Sequence, residues 1–165
     1  MSQAQRNAQD WADIVDVHFG FLAEHGFSIA EKDASWVWAW HVVYRSGPAA
    51  VVVTQNREYS CIDVQLVRAA PVPLARRYLI KHGEVTGVAY GHKLIWLRAS
   101  SPDLLLNRID GLGLEHDEIE TQLAFWAHVL QTFGADFLSG DLSVLDAPDP
   151  VVRRRKPKRR PNAAR

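Results

Sequence analysis

One cysteine, Cys61, stands in a chain of 165 residues. A single thiol excludes an intrachain disulfide, and with it the stapled scaffolds of oxidising compartments. Long apolar runs are missing too: no stretch approaches the ~20 residues that a bilayer-spanning helix needs. The opening residues MSQAQRNAQDWADIVDVHFGFL place no basic segment ahead of an apolar one. No secretory signal is read there, and the expected location is cytoplasmic. H-E-x-x-H, C-x-x-C and a G-K-[ST] ending are all absent, which removes the common zinc and phosphate-cradle signatures and leaves no cofactor to expect. Gly83, Gly87 and Gly91 in GEVTGVAYGHK read as turns or bulges, not as a phosphate loop opening a helix.

Acid is absent from one end of the chain. Residues 151–165 hold eight Lys+Arg and no Asp or Glu, a charge of +8. Residues 1–150 hold eleven Lys+Arg against all nineteen Asp+Glu, which leaves −8. The formal net charge of zero therefore describes neither part, and each must be read separately.

What is present is a patterned α+β chain. Trp11, Ile14, Val15, Phe19 and Leu22 recur at helical spacing, and Gly26 stands where a left-handed residue ends a helix, so residues 7–25 are predicted helical. SWVWAWHVVY alternates with period two: Trp36, Trp38, Trp40, Val42 and Tyr44 share one side and Val37, Ala39, His41 and Val43 the other. AAVVVTQ and EYSCIDVQLVR read as the next two strands, with Ile62, Val64 and Leu66 on one face. Their short connections allow only an antiparallel meander.

LARRYLIKHG is predicted as a short helix that ends before Gly83. VTGVAYGHKLIWLRAS reads as a hairpin or a late strand. Ser101 and Pro102 sit at the N-cap and N1 of a further helix. Ile119, Leu123, Trp126, Leu130, Phe133 and Phe137 mark one face of a last helix over 116–138. Beyond Asp149 and Pro150 the chain has nothing to bury and is expected to be disordered.

These readings give a single α+β domain over 1–146, an antiparallel β-meander packed against N- and C-terminal amphipathic helices, and a disordered basic tail over 147–165. With helices on one side only, either the tryptophan row or the Val37/His41 row would face out. The tryptophan row is expected to be the buried one, since large aromatics dominate cores. An exposed tryptophan row would instead mark a homodimer or partner surface.

Arg153, Arg154, Arg155, Lys156, Lys158, Arg159 and Arg160 could contact phosphates with a steep salt dependence. The tail has no aromatic side chain to stack on bases, so nucleic-acid contact would be sequence-independent. The same charge could instead fold back on the acidic body or bridge to an acidic partner. Cys61 and Asp63 share a strand face, and His41 on a neighbouring strand would complete a thiol nucleophile. Free cysteine is more often a small buried hydrophobe. His116 and Glu120 stand four apart but lack the further ligands of a metal site.

FGFLAEHGF, the strand ending V-x-L-x-R and DFLSGDLSVLD together resemble a type of small uncharacterised bacterial protein. The matching residues are Phe19, Leu22, Gly26 and Phe27; Val64, Leu66 and Arg68; and Leu138, Gly140 and Asp141. The likeness covers about residues 10–146 and leaves out the tail. Some proteins of this style are immunity proteins that block a toxin by binding it. The resemblance implies an immunity-like or adaptor role and transfers no active site. The expected function is thus a non-catalytic cytosolic domain that binds a protein partner through an acidic surface, with Asp117, Glu118 and Glu120 as surface residues. Nucleic-acid association through the tail is the alternative, and an enzyme with an unrecognised site the second alternative.

Overall fold

The computed structural model describes residues 2–35, 37–58, 61–68, 88–102 and 119–148. The expected helix ending before Gly83, the course of the chain after Pro102, Trp36, His116, Asp117, Glu118 and the tail lie outside these residues.

Helix α1, Gln3–Phe19, starts ahead of the expected boundary because Ser2 and Gln5 cap it reciprocally. The Ser2 hydroxyl accepts from the Gln5 N–H at 3.3 Å, and the Gln5 side chain accepts from the Ser2 N–H at 2.7 Å. The helix then tightens into a 3-10 turn, Gly20–His25, closed by Gly26. Trp11, Val15, Phe19 and Leu22 are buried as the spacing implied, but Ile14 is 42% exposed. At 100° per residue, Ile14 stands a full 100° around the helix from Val15, outside the stripe.

A strand that the sequence did not announce follows: β1, Ser28–Asp33. It pairs antiparallel with β2, Ala39–Ser46, which continues into β3, Ala49–Asn56, and β4, Cys61–Arg68. Adding β5, Val88–Tyr90, gives a five-stranded sheet in the order β1-β2-β3-β4-β5 with every neighbouring pair antiparallel. Because β1 must reverse into β2, Ala34, Ser35, Val37 and Trp38 belong to a connection. Asp33 opens it by accepting the Ser35 N–H at 2.8 Å. The strand expected from Trp36 onward therefore begins at Ala39, and Trp38 lies in the connection, 62% exposed. Arg57 fastens that connection, its backbone N–H reaching the Trp38 carbonyl at 2.8 Å while its guanidinium lies over the Trp40 ring at 4.5 Å.

Of the hairpin or late strand expected in the glycine-rich stretch, the strand is present as β5, but it is short and passes at once into helix α2, Gly91–Arg98. Gly91 does open a helix, contrary to the expectation of a turn. The expected C-terminal helix is α3, Ile119–Phe133, interrupted at Gly134 and resumed as α4, Ala135–Leu138, with α5, Ser143–Asp146, behind it. Leu123, Trp126 and Leu130 are buried on the anticipated face, and Phe137 is buried from α4.

One large core joins α1, α2, α3, α4 and α5 to the sheet face carrying Val42, Tyr44, Val51, Val53, Val64 and Leu66. The Tyr44 hydroxyl crosses to α1 and donates to Asp16 at 3.0 Å. Burial, and then the Asp16 charge, push that phenol well above its ordinary range. The opposite sheet face is buried as well, around Val43, Ala50, Val52 and Val67. So the choice between two rows does not arise within β2: Trp40, Val42 and Tyr44 pack toward the helices, and His41 and Val43 are 2% and 1% exposed on the other side. The uninterrupted run AAVVV carried this information, since strands buried on both faces read as continuous apolar stretches rather than as alternations.

Candidate functional site

Register builds a polar row across the second sheet face. Asp33 of β1 stands opposite His41 of β2, His41 opposite Thr54 of β3, and Thr54 opposite Asp63 of β4. The His41 Nδ1 lies 2.9 Å from the Thr54 hydroxyl, while its Nε2 is buried with no hydrogen-bond partner. Burial holds the imidazole below its ordinary value, against the opposing pull of the Asp33 carboxylate. His41 is therefore a neutral, fixed ring at neutral pH. Its acceptor or donor at Nε2 is unused.

This geometry separates the residues of the imagined nucleophile. Cys61 and Asp63 do share a face, as read, but Cys61 pairs with Asn56 and His41 with Thr54. β3 lies between them, so two strand spacings, about 10 Å, part thiol from imidazole in the sheet direction alone. They are not on neighbouring strands. The sequence reasoning missed β1 and so missed Asp33, the acid that does face His41. Burial, and then the Asp63 charge, push the Cys61 thiol above its ordinary value. A protonated thiol without a base is a poor nucleophile. Alkylation of Cys61 by iodoacetamide at pH 7 is expected to run several-fold slower than that of free cysteine, with its pH inflection displaced upward and brought back toward normal by Asp63→Asn. Rapid alkylation at neutral pH with a lowered inflection would restore the thiol as a nucleophile.

The acidic surface is better represented. On α1, Asp10, Asp13, Ile14, Asp16 and Val17 are exposed. Val17 is 81% exposed. The helical repeat gathers Asp10, Asp13, Ile14 and Val17 on the outer face of the helix, opposite Trp11, Val15 and Phe19. Of the anticipated acidic trio, Glu120 is exposed in the first turn of α3. Asp117 and Glu118 lie outside the described residues. The α1 face was legible in principle: placing Ile14 and Val17 by angle sets them with the aspartates rather than with the core.

Among the described residues no three His, Cys, Asp or Glu side chains gather as a metal site requires. No helix among them is long and apolar enough to cross a membrane. No protein-family model, curated protein or solved structure matches the chain.

Proposed function

We propose that the chain is a non-catalytic binding domain, immunity-like or adaptor in kind, whose acidic body docks a basic protein partner through the outer face of α1. The supporting observation is Val17, 81% exposed, with Ile14, 42% exposed, set with Asp10 and Asp13 on the outer face of α1. Exposed valine and isoleucine on a stable helix give a partner apolar area to bury. The aspartates around them supply the charge complementarity that speeds encounter and rejects acidic competitors. The −8 charge of residues 1–150 extends that preference over the whole body.

The test starts from a partner recovered on the full-length chain and measures its affinity for variants. Val17→Asp and Asp13→Lys should each weaken binding at least about ten-fold, equivalent to about 1.4 kcal/mol, with the affinity falling as salt rises. Glu58→Lys, on the β3–β4 connection, should leave it unchanged. These positions are exposed, so stability should move by no more than about 0.5 kcal/mol. Wild-type affinity in both α1 variants would remove the proposal.

A further inference from the structure

Three chain reversals meet at one corner of the domain and leave a pocket of about 390 Å³ between them. The first ends the 3-10 turn at Glu24 and His25, the second is the β2–β3 turn at Ser46, and the third ends α4 at Ser139. Gly26, Gly47 and Gly140 turn the chain at these places, with φ of +77°, +52° and +100°. Buried Phe27 and Phe137 contribute to the wall.

The pocket favours a cation with an apolar stem. Among the described residues that line it there is no lysine or arginine; exposed Glu24 and His25 are its ionisable members. Asp141 follows Gly140 directly, and hydrogen bonds from Ser143, including its N–H at 2.8 Å, hold that carboxyl below its usual range. Aromatic walls suit a methylene stem or a cationic head.

The described chain also ends close by. Ala49, in the pocket wall, pairs across the sheet with Arg68. Arg68 forms an ion pair with Asp146 at 2.8 Å. Asp146 closes α5, and Arg153 is only seven residues further on, a reach of up to ~25 Å. The segment 151–165 brings eight Lys+Arg and no acid to this neighbourhood.

We propose that the pocket receives a basic side chain from the chain's own tail, within Arg153–Arg160, and so tethers the tail to the acidic body. This stands independently of the α1 reading, since it involves a different corner of the molecule. It makes the tail a competitor of any cationic ligand for that corner.

The experiment uses the full chain at low ionic strength, as a mixture of isotopically labelled and unlabelled protein, treated with a zero-length carbodiimide coupling carboxylates to lysines. Lys156 and Lys158 should couple to Glu24 and Asp141 within one chain, at least about five-fold more than to Asp10, Asp13 or Glu120. The preference should vanish in 1 M salt, where screening reaches ~3 Å. In parallel, replacing the seven basic residues of 153–160 by glutamine in the full chain should speed hydrogen exchange over 24–27, 46–49 and 137–140 at least about three-fold. Coupling spread evenly over the exposed carboxylates, coupling only between chains, or unchanged exchange in those segments would each overturn the proposal.

Discussion

Replacing Trp126 by alanine is expected to destabilise the domain by about 3–5 kcal/mol, a large share of the ~5–15 kcal/mol that holds an ordinary domain folded. In chemical denaturation the midpoint should fall with little change in slope, and the thermal midpoint should drop by about 10 °C. The size follows from what one side chain does. Trp126 is 2% exposed in the centre of the core and lies edge-on to Phe125 with ring centroids 5.3 Å apart. Its indole N–H donates to the Ile62 carbonyl at 3.0 Å, one helical turn from Gln122, whose side-chain oxygen accepts the Ile62 N–H at 2.9 Å. β5 pairs with residues 65–67 of β4 and stops short of Ile62. Two side chains of α3, spaced i and i+4, thus complete the hydrogen bonding of a strand edge that, among the described residues, no strand reaches. A Trp126→Ala variant within 1 kcal/mol of wild type would mean that neither the cavity nor the edge matters.

Two companion variants separate the contributions. Trp126→Phe keeps most of the ring and leaves the Ile62 carbonyl without its donor, at a cost of about 1–3 kcal/mol. Gly91→Ala puts a methyl carbon 2.6 Å from the indole, closer than atoms can stand. Alanine gains about 1 kcal/mol of helix propensity over glycine, yet the overpacking should outweigh it. Combined with Trp126→Phe, whose smaller ring retreats, Gly91→Ala should cost less than it does alone, a coupling that a double-mutant cycle reads directly.

The Gly91–Trp126 contact also explains why α2 was illegible. A glycine after VAY reads as a break, because the reason for it stands 35 residues away in sequence. β1 escaped for a different reason. SIAEKD is an edge strand with Ile29 as its only large apolar residue, and edge strands are kept polar against unwanted pairing. β2, β3 and β4 were readable because β-branched and aromatic residues concentrate there. The α3 face was readable because its apolar residues keep a helical period through Leu130, though the interruption at Gly134 was not. Losing β1 had consequences beyond one element. It lengthened β2 to include Trp36 and Trp38, and it hid the register that sets Asp33 against His41. Cys61 and His41 invited a reading as partners because sequence alone shows strand faces and not strand spacing. The intervening β3 decides the matter.

That same register gives the domain a pH dependence centred on His41. The unfolded chain takes up this proton near the ordinary histidine value of 6.5, whereas burial holds the folded chain's proton off to lower pH. Between those two values the unfolded state carries the extra proton, so stability falls as pH falls, by up to about 1.4 kcal/mol per pH unit for one group. The contribution is fully present above pH 6.5 and is lost as pH drops through the folded value. His41→Gln removes the titration and retains a side chain that can bond the Thr54 hydroxyl. Measured by denaturant unfolding at pH 7.5, 6.5 and 5.5, the variant should be the less stable at the highest pH and should close on wild type as pH falls. Asp33→Asn provides the opposite check. With the facing carboxylate gone, the imidazolium loses the support of that charge, the folded value drops further, and the window of declining stability widens. Curves for wild type and His41→Gln that stay parallel from pH 7.5 to 5.5 would show that His41 is not the group the fold keeps uncharged.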